Sequence, residues 1–199
     1  MTKYIYIFTA VLLFGLSCTN PFSLRDPEAP GGNSNDQRLE LQLNPDSLMS
    51  KLKLAFLEKN NQLYSDLFAS GVIDSVYFMF KPTAYWTERF VNWDYTDETI
   101  YFDNMVKQKS IGSISIKMAS KTEWFTFTTS PDSLQARYEY HIQIQENNSY
   151  SHYRGESIFK IYRANDSYYR IYYWEDLVLN DQSSDSTWSA LKTRFRINE

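Results

Sequence analysis

Apolar and polar residues recur along this chain with two periods, and the change between them falls near Gly112. Before it the spacing is helical. Leu48, Leu52, Ala55 and Phe56 repeat at three- and four-residue intervals, the spacing of one buried helix face. Asn44 suits an N-cap, Pro45 the first helical position and Asp46 the positive end of the helix dipole. Asn60-Asn61 weakens that helix. Leu63, Tyr64, Leu67 and Phe68 predict a second, short one stopped by Gly71. Val76 to Phe80 is a β-favouring run ended by Pro82. A third helix is predicted over Thr96 to Lys109, with Asp97 and Glu98 early, Ile100, Tyr101 and Met105 inward, and Lys107 and Lys109 late.

From Gly112 the period becomes two. Ile114 and Ile116 alternate with Ser113, Ser115 and Lys117, and Trp124, Phe125 and Phe127 make a further strand, followed by a turn at Ser130-Pro131-Asp132-Ser133. In Ala136 to Gln145, Tyr138, Tyr140, Ile142 and Ile144 oppose Glu139, His141, Gln143 and Gln145. Asn147-Asn148 turns the chain into a strand over Tyr153 to Arg163, and Asn165-Asp166-Ser167 into another over Tyr168 to Trp174. A polar loop, Asp181 to Thr187, leads to a short closing segment, Trp188 to Phe195. Helices followed by hairpin-linked strands predict an α+β domain, with N-terminal helices packed on an antiparallel sheet.

The first residues follow a different pattern. Lys3 is followed by a 13-residue apolar run, Tyr4 to Leu16, and then by Ser17 and Cys18. A positive start, an apolar stretch and small residues form the layout of a secretory signal, and the run is shorter than the roughly 20 residues of a membrane-spanning helix. Cys18 is the only cysteine, so no internal disulfide forms. Gly15-Leu16-Ser17-Cys18 resembles the lipobox of bacterial lipoproteins, although Gly15 stands where leucine is commonest. The resemblance implies a signal peptide over 1–17 and lipidation of Cys18, whose acyl chains would hold the protein on a membrane. With Thr19 following the cysteine in place of aspartate, it also implies the outer membrane of the cell envelope, facing the periplasm.

Residues 18–38 hold Pro21, Pro27, Pro30, Gly31 and Gly32 with few apolar side chains, and read as a flexible tether that reaches about 60 Å when extended. Residues 39–199 are long enough for one well-buried core and too short for two. Removing 1–17 leaves 19 basic and 24 acidic side chains, about −5 in net charge, with no basic stripe. Nucleic acid is therefore excluded as a partner.

The paired helices, short strand, helix and long strands resemble the nuclear-transport-factor-two-like, cystatin-like cone fold. The local echo is Glu156 to Asp176, where Phe159, Ile161, Tyr169, Ile171, Trp174 and Asp176 are similar to that superfamily's pattern of two apolar strand residues, a turn, aromatic-x-Ile and Trp-x-Asp. Asn61 to Phe68 is similar to its second helix. The resemblance implies a cone-shaped domain whose sheet is curved. It places no functional residue.

Two constellations are candidate sites. If Asn147-Asn148 is a two-residue turn, position i pairs with 295 − i, so Glu139 faces Glu156, His141 faces Arg154 and Gln143 faces His152. Such a cluster has the groups for acid/base chemistry. The simpler reading is a solvated outer face on which Arg154 bridges the two glutamates, because the opposite face carries the core residues. The second constellation is Tyr85, Trp86, Phe90, Trp93 and Tyr95, with Glu88 and Arg89 among them, lying where cone folds of the resembling superfamily have their cavity mouth. These rings form either a lip that stacks on a ligand or a plug of ordinary core.

No phosphate loop, nucleophile elbow, paired-cysteine motif or zinc-helix motif occurs in the chain. The two histidines lack a third ligand, so neither metal nor cofactor is expected. The expected function is that of an envelope lipoprotein whose domain binds a small molecule or a protein partner. The alternatives are a lipid-anchored enzyme of the isomerase or dehydratase type with its site in the cone, and a structural module forming a homodimer through its sheet.

Overall fold

Asparagine and aspartate side chains set the starts of the first three α-helices in this protein. A computed structural model describes residues 42–73, 75–127, 130–179 and 183–196. The expected signal peptide 1–17, Cys18, the tether 18–38 and the domain start at Leu39 lie outside the described residues.

Helix α1 spans Pro45–Glu58, and the Asn44 side chain accepts the Ser47 amide at 2.8 Å. Lys59, in the left-handed region, ends it, and Asn60 caps α2, Asn61–Ser65. The second helix is thus shorter than its apolar spacing predicts. Beyond it the chain turns, so that Phe68 bridges to Ile171 of the sheet. Strand β1 is only Met79–Lys81, and a 3-10 helix follows over Ala84–Phe90. Helix α3, Tyr95–Lys107, opens with a reciprocal capping box between Asp94 and Asp97.

The strands are β2 (Ile111–Ser120), β3 (Phe125–Phe127), β4 (Ser130–Glu146), β5 (Ser149–Arg163) and β6 (Tyr169–Leu177). Residues 130–133, expected as a turn, are the first part of β4. Helix α4, Trp188–Phe195, closes the fold, with Thr187 as its N-cap.

The sheet order is β1-β6-β5-β4-β2, with β3 on β4. The Asn147-Asn148 turn sets the β4–β5 register, including Glu139 against Glu156 and His141 against Arg154. The sheet is mixed, not wholly antiparallel, because β1 runs parallel to β6. A parallel pair needs a long crossover, and everything between Lys81 and Tyr169 supplies it.

Bulges curve the sheet. In β6 the extra residue Tyr172 falls where Lys160 pairs with Tyr173 but Ile161 with Ile171. Ile171 and Trp174, three apart, are consequently both fully buried. The helices lie on this inner side and share one core with it, including Leu52, Phe56, Phe102, Ile142, Phe159, Trp174 and Trp188.

Candidate functional site

The interior of the cone holds two buried carboxylates. Glu98 lies on the inward stripe of α3 with Tyr101, Phe102 and Met105, and its side chain is fully buried. Lys192 holds the equivalent place on α4, with Trp188, Leu191 and Phe195. Its ammonium donates to both Glu98 oxygens, at 2.8 and 2.6 Å. The same carboxylate accepts the Tyr64 hydroxyl at 2.5 Å and the Trp93 indole N–H at 2.8 Å. Tyr101 lies 3.1 Å from the Tyr64 hydroxyl and accepts the Trp188 indole N–H at 3.1 Å.

Burial pushes the Lys192 ammonium down to about 8, while Glu98 acts to hold it up. Burial, reinforced by the Glu98 charge, raises Tyr64 and Tyr101 well above the usual phenol range. Neither phenol ionises near neutrality, so both remain hydrogen-bond donors.

The second carboxylate is Asp176 on β6. It accepts the Tyr140 hydroxyl at 2.6 Å and both the amide and the hydroxyl of Ser189 at 2.6 Å. A carboxylate at the first turn of α4 fits the positive end of that helix. Tyr140 reaches Asp176 by crossing β5 over Gly155. A Cβ there would stand 2.4 Å from the Tyr140 hydroxyl and 2.7 Å from the Leu177 carbonyl oxygen. Glycine at 155 is what lets this bridge form. Burial raises the Asp176 carboxyl, against the opposing pull of Ser189 and Tyr140.

Chemically, buried acids among tyrosines are suited to proton transfer, but here Glu98 accepts four hydrogen bonds and Asp176 three, and rings pack round them. Trp174 and Trp188 meet edge to face at 4.2 Å, and Tyr64 stacks on Phe102 at 3.9 Å. Among the described residues, open surface depressions of 400, 380 and 280 Å³ are lined by other residues than Glu98, Asp176 or Lys192.

The constellations read from sequence lie elsewhere. Phe90 and Trp93 are not a lip: both are buried core, packed on each other and on Phe80. Trp86 is half-buried and donates its indole N–H to the Ser184 carbonyl at 2.9 Å, while Tyr85 is 68 % exposed against its edge.

Glu139, His141, His152, Arg154 and Glu156 share the outer face of the hairpin, opposite buried Tyr140, Ile142 and Tyr153. Arg154 does not bridge the glutamates. Glu139 pairs with Lys121 at 2.6 Å and Glu156 with Arg137 at 3.1 Å. His141 Nε2 lies 3.1 Å from His152 Nδ1. Partial burial, Arg154, His152 and Lys117 together lower the His141 pKa. Among the described residues no group of three or more His, Cys, Asp or Glu is placed to hold a metal ion.

Sequence reasoning missed Glu98 and Lys192 as a site. The available signal was a charge on each helix's apolar stripe, one acidic and one basic.

No protein-family model matches the chain, and no curated protein matches it in sequence. Solved structures do match its fold. A candidate dehydratase of the NTF2-like family from Streptomyces avermitilis superposes with a TM-score of 0.52 at 10 % identity, covering 73 % of this chain and 99 % of that one. An NTF2-like superfamily protein from Salmonella enterica gives 0.51 at 11 % identity, over 75 % and 96 %. A conserved protein from Planctomyces limnophilus gives 0.51 at 13 %, over 74 % and 98 %. The chain has the NTF2-like cone fold.

Proposed function

We propose that this protein is a lipid-anchored envelope protein whose NTF2-like domain is a non-catalytic binding module, meeting its partner at the outer surface and not inside the cone. The observation that carries this reading is α4. Its Trp188, Leu191, Lys192 and Phe195 are buried in the space enclosed by the sheet and α1 to α3, so the interior is packed core. Among the described residues, the open surface depressions of 400, 380 and 280 Å³ are lined by residues other than Glu98, Asp176 and Lys192, which supports binding at the outer surface over a substrate inside the cone. Cys18 supplies the anchor in this reading, on the strength of the signal-like segment before it. Among the described residues no helix is long and apolar enough to cross a membrane.

Two experiments test the reading. Expressed with its own N-terminus in a bacterium, the protein should partition into detergent, and Cys18→Ser should release it or block its processing. Unchanged processing and membrane retention of Cys18→Ser would remove the lipid anchor. For the interior, the indole N–H resonances of Trp93, Trp174 and Trp188 should stay fixed while small carbonyl and aromatic compounds are titrated. A compound that shifts all three saturably would put a ligand inside the cone. That result favours the isomerase- or dehydratase-type reading, for which the buried carboxylates beside Tyr64, Tyr101 and Tyr140 are the supporting observation.

A further inference from the structure

Lys192 sits in more than a salt bridge. Its ammonium nitrogen lies 3.5 Å from the ring centroid of Phe80 and 3.7 Å from that of Trp174. Tyr101 follows at 5.4 Å, and Phe78 and Trp93 at 5.9 Å. Five rings stand within the range at which a cation is attracted to an aromatic face, an attraction that grows when water is excluded. The enclosure comes from parts of the molecule other than α4: Phe80 from β1, Phe78 just before it, Trp93 from the turn before α3, Glu98 and Tyr101 from α3, and Trp174 from β6. Tyr64 and Trp93 hold the Glu98 carboxylate in place independently of the lysine. Only the occupant belongs to α4, delivered at the end of a flexible alkyl stem.

This division between a pre-arranged enclosure and a tethered guest is the arrangement of a receptor with its ligand. We propose that the interior is a recognition site for a primary alkylammonium, with Lys192 as its built-in occupant, and that the site accepts free alkylammonium when the lysine side chain is cut away.

The geometry sets the ligand class. Both Glu98 oxygens take an N–H from the same nitrogen, which a quaternary ammonium lacks. Rings centred 3.5 and 3.7 Å away leave no shell for N-methyl groups. Lys192→Ala removes three carbons and the nitrogen, so propylammonium is the matching guest. The inference concerns the interior alone and does not depend on where a partner docks.

The test uses the full chain carrying Lys192→Ala. Its melting temperature should fall, and propylammonium chloride should raise it again, saturably, by about 5 °C or more. Ethylammonium should do less. Tetramethylammonium chloride and 1-propanol at matched concentration should do nothing, and none of them should move the wild-type protein. Adding Glu98→Gln to Lys192→Ala should abolish the propylammonium response. If Lys192→Ala alone does not fold, the readout becomes refolding yield from urea, which should depend on propylammonium and not on 1-propanol. The proposal is overturned if propylammonium acts no better than 1-propanol, or if its effect survives Glu98→Gln.

Discussion

The cone interior and the outer face of the β4–β5 hairpin hold similar side chains, carboxylates beside nitrogen bases, under opposite conditions. Inside, Glu98 and Lys192 are fully buried and each contact is fixed by a ring or a hydroxyl. Outside, Glu139, His141, His152, Arg154 and Glu156 are exposed or half-buried, and the glutamates pair with the partly exposed Lys121 and Arg137. Removing a charge from water costs several kcal/mol per ion, recovered only by close partners, whereas exposed pairs contribute about 0–1 kcal/mol. The outer cluster looked more like a site because its residues are dense along the strands. The interior pair is sparse in sequence, yet it is the one that joins α3 to α4 inside the core.

The largest effect should come from breaking that pair. Lys192→Met leaves Glu98 charged without its cation and should cost about 3–5 kcal/mol in urea unfolding. The double variant Glu98→Leu/Lys192→Met should recover part of the loss, because an apolar pair avoids the desolvation of two charges while the buried Tyr64 hydroxyl and Trp93 indole N–H lose their acceptor. A double variant as unstable as the single one would mean that the pair's hydrogen bonds, not the unpaired charge, dominate.

Next is the apolar side of the same hairpin. Ile142 is fully buried in the core on the inner face of β4, and Ile142→Ala should cost about 2–5 kcal/mol as a core truncation. A harmless Ile142→Ala would break the distinction between the faces.

Gly155→Ala should cost less, about 1–3 kcal/mol, as overpacking does. The added Cβ would crowd the Tyr140 hydroxyl at 2.4 Å and the Leu177 carbonyl at 2.7 Å. Tyr140→Phe should relieve part of that cost in a double-mutant cycle, since it removes the nearer atom. Additive losses would show that the obstacle lies in the atoms Tyr140→Phe leaves in place, the ring Cζ and the Leu177 carbonyl oxygen, both at 2.7 Å.

How much of this was legible depends on the range of each interaction. The hairpin was readable in detail: a two-residue Asn-Asn turn fixes register, and period two then assigns every side chain to a face, as the observed pairing of Gln143 with His152 shows. Helix starts were readable for the same reason, since Asn44 and its partner Ser47 are three residues apart. Glu98 was read as an acid suiting the helix dipole, which it also is. Its burial depends on Lys192, 94 positions away, and no local pattern encodes that distance. The early end of α2 was hidden likewise, because Phe68 leaves the helix to pair with Ile171. The parallel set of β1 depends on where β6 lies, and three residues carry too little pattern to announce it.

The smallest effect belongs to the histidines. His152 is exposed and His141 half-exposed on the outer face, so His141→Ala and His152→Ala should each change stability by no more than about 0.5 kcal/mol at neutral pH. Acid should expose what is special about His141. Burial, then Arg154, His152 and Lys117, lower its folded-state pKa below the ordinary 6.5. In the window between that lowered value and 6.5 the unfolded chain binds a proton that the native chain resists. Stability therefore falls as pH drops through the window and the penalty is complete below it. Above 6.5 the term is absent. Urea titrations of wild type and His141→Ala across the acid range should show a shallower decline in the variant, with the curves parallel above pH 6.5. Salt should shrink the difference, because Arg154 and Lys117 act through solvent. Parallel curves throughout would mean that the outer cluster is electrostatically inert. A collapse of either histidine variant at neutral pH would mean that this face, and not the Glu98–Lys192 interior, holds the committed polar site.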